Sequence, residues 1–270
     1  MKIFFFVISL FSLTIFSAEG EPCGDYLSSD GLHLGICEEA DTDYLDKASL
    51  QKGAKMFMNY CYGCHSLKYA RFNRVAKDLG IPEDIFQKHL LFGDQKMGDL
   101  MTISMDQSEA KDWFGVAPPD LTLEVSLRGA DWLYTYLISF YEDESRPLGV
   151  NNKVLENVGM PHVLSNLQGL QKSICKQVSQ SASNGGLKQD PLSGEIITKE
   201  QCGFLVVEEE GEMNPKEFKA SMKNLTNFLS YMSDPIEEER KYIGKFVVLY
   251  LIIFSILSYL LYREFKKDVH

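Results

Sequence analysis

Cys61-Tyr62-Gly63-Cys64-His65 is the most informative stretch of this sequence. Two cysteines three positions apart, followed at once by a histidine, form the signature of covalent haem attachment. The two thiols can form thioethers with the two vinyl groups of one porphyrin, and the histidine is then held where its imidazole can coordinate the iron. We therefore predict one covalent haem c, attached at Cys61 and Cys64, with His65 as an axial ligand.

Two other kinds of site also use closely spaced cysteines. A thioredoxin-like dithiol follows a β-strand, whereas Leu50, Ala54, Phe57 and Cys61 recur at helical spacing and predict a helix before the motif. A structural zinc site needs a fourth ligand with tight spacing of its own, and the other cysteines are scattered. A membrane-anchored zinc or dithiol scaffold stays open as an alternative, and a pyridine haemochrome spectrum of denatured protein distinguishes it from a haem protein.

A second axial ligand is expected, because an electron-transfer haem usually has both axial positions filled. The chain has ten methionines. Met160 differs from most of them, since it lies in Asn157-Val158-Gly159-Met160-Pro161, an irregular segment whose glycine and proline fix its course. A loop so far along the chain from the histidine can close over the opposite haem face. Spacing alone makes Met160 the leading candidate, ahead of Met97, Met101, Met105 and His162.

The two ends of the chain are apolar. Residues 1–20 combine a basic start, a short apolar core and small exit residues, which predicts a signal peptide. Residues 241–263 have an uncharged core and are followed by basic residues, which predicts a membrane-spanning helix with a cytoplasmic C-terminus. The chain is then a single-pass protein of the bacterial inner membrane. Residues 21–240 form its periplasmic haem domain, and residues 264–270 form a cytoplasmic tail.

Between these ends, local signals predict several helices. Pro82-Glu83-Asp84 can start one, and Asp131 is expected to cap another that runs to Phe140. Pro215 opens a last helix of the domain, which Asp234-Pro235 ends. The acidic residues that follow are expected to form a short link to the membrane span.

Charge narrows the choice of partners. The chain has 38 acidic and 27 basic residues, a formal net charge of −11. An acidic surface repels nucleic acid, so no nucleic-acid partner is expected, and it can attract a basic protein. Solubility alone is an equally good explanation for any single acidic cluster, such as Glu142–Glu144 or Glu208–Glu212.

Longer stretches resemble one family. GAKMFMNYCYGCHSLKYARFNR from Gly53, WFGVAPPDL from Trp113, RGADWLYTYL from Arg128 and NVGMPHVL from Asn157 occur in this order before the C-terminal anchor. Together they resemble the cytochrome c1 family of proteobacterial type, the haem-bearing subunits of ubiquinol–cytochrome c oxidoreductases. The resemblance extends from about residue 40 to the end of the chain, and PPDL, RGADW and GMP in this order are more specific than the haem signature.

The resemblance implies a set of haem contacts. Cys61 and Cys64 bind the haem covalently, and His65 and Met160 are the two iron ligands. Arg128 falls where the family has an arginine near a haem propionate, a pairing that suits a guanidinium and a carboxylate.

The resemblance also implies a fold. It is mainly α: a class I cytochrome c-like haem domain with insertions plus one C-terminal transmembrane helix. Pro119 falls on the segment that packs against the haem. Gly53 and Phe57 of the first helix are expected to cross the last helix of the domain at Phe228 and Tyr231, with the glycine permitting close approach.

The implied function is electron transfer within a membrane complex. The haem accepts an electron from the Rieske iron–sulfur subunit and passes it to a mobile c-type cytochrome, beside a cytochrome b subunit. Alone, the chain is an electron carrier with no organic substrate, and the enzyme is the whole oxidoreductase. The alternative is a free-standing membrane-anchored cytochrome that feeds a terminal oxidase.

Four further cysteines allow three disulfide pairings. Cys23–Cys37 with Cys175–Cys202 closes the shortest loops and is favoured, although some of these thiols could also stay free. The second pair lies in the polar stretch of residues 171–214, which is rich in Ser, Gly and Gln and is interpreted as a surface insertion.

Overall fold

The computed structural model describes residues 22–27, 34–180 and 187–267, so the predicted signal peptide lies outside the described residues. The helices are α1 Lys47–Met56 with a π-helical turn Phe57–Cys61, α2 Phe72–Leu79, α3 Glu83–His89, α4 Gln107–Phe114, α5 Glu124–Arg128, α6 Ala130–Ile138, α7 Ser165–Gln168, α8 Pro215–Ser233 and α9 Glu237–Phe265. The strands are β1 Pro22–Leu27, β2 Leu34–Ile36, β3 Leu67–Arg71, β4 Leu100–Met101, β5 Phe140–Glu142, β6 Val150–Asn152, β7 Gly169–Ser179 and β8 Thr198–Glu210.

The predicted helix before the CYGCH motif is present. Its N-terminus is capped by Asp46, whose carboxylate accepts the backbone N–H of Ser49 at 3.0 Å. Its last turn widens into the π-helical segment that ends at Cys61, and the Tyr62 N–H donates to the carbonyl of Phe57 at 2.9 Å. Such π-bulges are often found at functional sites, and this one delivers the first cysteine of the motif.

Helix α1 crosses α8 at very close range, as predicted. Gly53 lies directly against the α8 backbone, and the rings of Phe57 and Phe228 are 5.8 Å apart. Tyr231 lies one turn further along α8 and packs edge-on against Tyr44 at 6.0 Å. The crossing holds the end of α1, and with it the CYGCH turn, in a fixed place in the core.

The prediction that Asp131 caps a helix running to Phe140 was wrong. Helix α6 spans Ala130–Ile138, with Gly129 at the N-cap position, so Asp131 lies in its first turn. The Asp131 carboxylate instead accepts the backbone N–H of Ala40 at 2.7 Å. Phe140 lies beyond the helix and begins β5. The carboxylate therefore binds a distant backbone N–H in place of those of its own helix.

More than half of the described residues in the 171–214 stretch, which was predicted to be a surface insertion, belong to a β-ribbon. Strands β7 and β8 pair antiparallel over almost their full lengths, and β8 also joins β1, giving a four-stranded sheet of order β2-β1-β8-β7. The favoured pairings Cys175–Cys202 and Cys23–Cys37 are both present. The fold thus combines helices with a substantial β component, which the description "mainly α" left out.

Helix α9 is the one helix in the described ranges that is long and apolar enough to cross a membrane, with a mean hydropathy of 2.1. None of its 29 residues is buried against the rest of the chain. It begins at Glu237, so the acidic residues expected to form a link are its first turn. Arg240 pairs with Asp234 at 2.6 Å across the junction with α8.

Replacing Gly53 with alanine should destabilise the protein. A Cβ at this position would lie 2.1 Å from the carbonyl oxygen of Asn224, so α1 and α8 would have to move apart. Overpacking of this kind costs about 1–3 kcal/mol. The free energy of unfolding, measured by denaturant titration in detergent, should fall by that amount. The control is Gly98→Ala, where the added carbon meets nothing within 4 Å; equal effects of both changes would contradict the close crossing.

Candidate cofactor site

A largely apolar cavity of about 390 Å³ lies between the end of α1, helices α5 and α6, and the loops around residues 114–121 and 155–163. This volume falls within the usual range of cofactor pockets, roughly 300–1,000 Å³. The cavity brings together all six residues predicted for the site. They are Cys61, Cys64, His65, Pro119, Arg128 and Met160.

The two motif cysteines reach the cavity as free thiols. Neither Cys61 nor Cys64 takes part in a disulfide. The backbone N–H groups of Cys64 and His65 both donate to the Cys61 carbonyl, at 3.0 and 2.9 Å, which folds the motif into one tight turn. Burial raises the pKa of the Cys61 thiol to about 12, so this thiol is protonated near neutral pH.

The imidazole of His65 is prepared for metal binding. Its Nδ1 lies 2.8 Å from the backbone carbonyl oxygen of Pro119. A carbonyl only accepts hydrogen bonds, so Nδ1 carries the proton and Nε2 keeps a free lone pair. Burial lowers the pKa of His65, which also favours the neutral, ligating form.

The Pro119 segment is itself fixed to the motif. The Leu121 N–H donates to the Ser66 carbonyl at 2.9 Å, and the Asp120 carboxylate accepts the Lys68 N–H at 2.8 Å. The residues that follow His65 are therefore tied to those that follow Pro119, so these bonds support the histidine's orientation in addition to its own hydrogen bond.

Met160 faces the cavity from a separate loop. Its sulfur accepts a hydrogen bond from the Tyr136 hydroxyl, with O···S 3.4 Å. The loop is packed closely, since a Cβ on Gly159 would lie 2.5 Å from Cγ1 of Val116. Asn157 adopts a φ of 59°, the left-handed conformation that asparagine tolerates better than most residues.

The other candidates for a second ligand lie elsewhere. Among the methionines that the structure describes, only Met160 lines the cavity. Met101 is fully buried in β4, away from the lining. His162 is buried and stacks on Phe140 with ring centroids 5.0 Å apart, and it too is outside the lining.

Arg128 lies at the cavity with a carboxylate and an aromatic ring. Its guanidinium pairs with Glu124 four residues earlier, and it lies 4.5 Å from the ring centroid of Trp132. Glu124 and Trp132 also line the cavity. This arrangement supplies a fixed cation beside an otherwise apolar cavity, which suits the carboxylate of a haem propionate.

Two lining residues were missed as site residues by sequence reasoning. Trp132 and Tyr136 stack with centroids 5.3 Å apart and planes at 8°. Together with Arg128 they recur every four residues, a spacing that places side chains on one face of a helical segment. The sequence shows that spacing, but not which face of α6 borders the cavity.

A turn with two free thiols, a neutral histidine and a methionine around one apolar cavity defines a c-type cytochrome. The donor set fits haem c, because thiols suit the vinyl groups and imidazole and thioether suit the iron. Residues 38–91 and 93–269 match the model of the Cytochrome C1 family, and the chain belongs to that family. Proteins of this family carry one covalent haem c.

Three curated relatives show how far the similarity reaches. The chain is 48% identical to "Cytochrome c1" of Allochromatium vinosum over 249 residues, which cover 92% of this chain and 95% of the relative. It is 39% identical to "Ammonia monooxygenase gamma subunit" of Nitrosomonas europaea, covering 86% and 88%. It is 25% identical to "Cytochrome b/c1" of Bradyrhizobium diazoefficiens, covering 83% of this chain and 34% of that longer protein.

Replacing Tyr136 with phenylalanine should lower the haem reduction potential. A hydrogen bond to the thioether withdraws electron density from the sulfur, so its loss favours ferric iron. One such bond is worth about 0.5–1.5 kcal/mol, which for one electron corresponds to roughly 20–60 mV. Redox titration measures the shift. Tyr134→Phe, a buried tyrosine of the same helix outside the lining, should leave the potential unchanged, and equal shifts in both variants would refute the role of the Tyr136 hydroxyl.

Proposed function

We propose that the chain is the haem-bearing electron-transfer subunit of a bacterial ubiquinol–cytochrome c oxidoreductase, the cytochrome bc1 complex. One observation carries the proposal: a single cavity gathers Cys61, Cys64, His65 and Met160 in a chain of the cytochrome c1 family. The chain itself breaks no bond in an organic substrate. Its part in the reaction is to hold a group that accepts and releases one electron.

Each site residue has a proposed role. Cys61 and Cys64 would form the thioethers, His65 and Met160 would ligate the iron, and the bound haem would supply a centre that accepts and releases one electron. The Pro119 carbonyl orients His65 and makes its Nε2 a better donor. The thioether favours ferrous iron and so raises the potential, which suits a late step in an electron chain.

Arg128 is proposed to contact a haem propionate. Its guanidinium has the fork of donors that a carboxylate accepts well, and it lies on the lining. The Glu124 carboxylate pairs with this guanidinium and holds it at the cavity, where a propionate would meet it. The finer fold assignment also belongs to the proposal: a class I cytochrome c-like domain, supported by the α1–α8 crossing, with the β7–β8 ribbon as an insertion.

The topology proposed from the sequence places the haem domain, residues 21–240, in the periplasm after removal of residues 1–20. Residues 241–263 cross the inner membrane, and residues 264–270 are cytoplasmic. Basic residues at the end of α9 support this orientation. The haem is then on the side where a Rieske subunit can deliver electrons and a mobile c-type cytochrome can collect them, with cytochrome b in the membrane.

The name of the Nitrosomonas relative points to another complex. The family model and the more identical Allochromatium relative agree on cytochrome c1, so we favour the bc1 assignment. The alternative of a free-standing carrier feeding a terminal oxidase has no such support.

Purification from native membranes tests the assignment. The tagged chain should retain its haem after denaturation, give a pyridine haemochrome spectrum of haem c, and co-purify with a cytochrome b and a Rieske protein. The purified complex should reduce a c-type cytochrome with ubiquinol. A haem-containing chain that purifies without these two subunits would support the free-standing carrier, and a colourless chain would overturn both readings.

Replacing Met160 with leucine should lower the potential sharply, by more than about 100 mV, because the ligand that favours ferrous iron is lost. The weak sulfur-to-iron absorption band near the red end of the ferric spectrum should disappear. Met105→Leu is the control, since Met105 lies outside the cavity lining. An unchanged potential and band in Met160→Leu would transfer the role to another residue.

A further inference from the structure

We propose that Trp132 is a positioning residue, held in place by the Cys23–Cys37 disulfide, that fixes Arg128 and Tyr136 at the haem cavity. The inference rests on the proposed function, because it concerns how this chain tunes its own haem. It assigns to the N-terminal disulfide a role in setting the potential, beyond holding the chain together.

Trp132 lies between two groups of the cavity. Its ring is 4.5 Å from the Arg128 guanidinium carbon and stacks on Tyr136 at 5.3 Å with nearly parallel planes. A cation–π contact and an aromatic stack each favour one position of the partner side chain. Loss of the indole would therefore leave Arg128 held by Glu124 alone and Tyr136 without its stacking partner.

Both neighbours act on the proposed haem in the same direction. The Tyr136 hydroxyl donates to the Met160 sulfur, which weakens the thioether as a donor to ferric iron. The positive charge of Arg128 likewise disfavours the ferric form, which carries one more positive charge than the ferrous form. If the Tyr136 hydroxyl and the Arg128 guanidinium move away from these positions, both changes stabilise the ferric form relative to the ferrous form. The reduction potential then falls.

The outer side of Trp132 is packed by the N-terminal segment. The Cys23–Cys37 disulfide is buried, and Trp132, Val154 and Leu205 pack against it. These contacts bring Trp132 of helix α6, Val154 and Leu205 of the β-ribbon together around the disulfide. The indole thus borders the cavity and also touches the disulfide, with no other side chain needed between them.

The residues after Cys37 are bound to α6 on both sides of Trp132. The Ala40 N–H donates to the Asp131 carboxylate at 2.7 Å, and the Glu38 N–H donates to the Thr135 hydroxyl at 2.8 Å. These bonds explain why Asp131 does not cap its helix. Two hydrogen bonds therefore fix residues 38–40 on α6, and the disulfide at Cys37 packs against the indole of Trp132.

The second disulfide offers a matched control. Cys175–Cys202 joins β7 to β8 at directly opposed positions of the ribbon, and neither cysteine lines the cavity or packs against Trp132. Trp113, the other of the two tryptophans, is 60% exposed on α4 and also lies outside the lining.

The test compares the redox equilibria of purified holoprotein variants. Trp132→Leu should decrease the ferrous-to-ferric ratio at a fixed ambient potential three- to tenfold, a shift of roughly 30–60 mV for one electron. It should also weaken the sulfur-to-iron band, whereas Trp132→Phe, which keeps an aromatic face, should recover most of both signals. Trp113→Leu should change neither. Equal ratios in Trp132→Leu and Trp113→Leu would overturn the proposal.

The disulfide is tested with separate variants, so the proposal can still be tested if Trp132→Leu fails to fold. The paired change Cys23→Ser with Cys37→Ser should lower the ratio in the same direction, and the paired change Cys175→Ser with Cys202→Ser should not. Combining the first pair with Trp132→Leu should give less than the product of the separate effects, because both act through one contact. Identical ratios for the two disulfide variants would refute the link. A mature chain without covalent haem would instead refute the proposed function.

Discussion

The contact between α1 and α8 is the constraint on which the rest of the haem domain depends. A glycine at position 53 lets the two backbones meet, and the Phe57 and Phe228 rings close the contact beside it. The π-helical turn then carries Cys61 directly out of this crossing to the cavity. A cofactor that must be reached by two thiols and one imidazole tolerates little error in the position of the end of that helix, and close packing next to it limits that error.

The two faces of the cavity are built in different ways. On one face, Cys61, Cys64 and His65 come from a single turn, and the histidine's tautomer is fixed by the Pro119 carbonyl. On the other face, Met160 comes from a loop and is met by Tyr136 from α6. The first face therefore takes its two thiols and its imidazole from one local turn, although a distant carbonyl orients the histidine. The second face is assembled from a loop and a helix, so all of it depends on tertiary packing.

This difference explains what sequence reasoning could reach. The CYGCH turn and its helix were predictable because the chemistry and the periodicity lie within a few residues. Spacing made Met160 the leading candidate, and the family resemblance then assigned it as the second ligand. Trp132 was not assigned a site role, since spacing does not reveal which helix face borders a cavity. Asp131 has the local sequence context of a helix cap, but its carboxylate accepts a hydrogen bond from the distant backbone N–H of Ala40. The β-ribbon was missed because its strands are mostly exposed and polar, so they lack the apolar alternation that identifies a half-buried strand.

Most ionisable side chains that line the cavity are uncharged near neutral pH. Burial keeps the Cys61 thiol protonated, lowers the pKa of His65 and raises that of Tyr136, so these three side chains are uncharged near neutral pH. The formal charges on the lining are those of Arg128 and Glu124, which oppose each other. The cavity is otherwise apolar, so no further charged side chain of its lining would act on the reduction potential of a bound haem. Its potential is therefore governed by the donor strength of the ligands and by how firmly the neighbouring dipoles and the Arg128 cation are held.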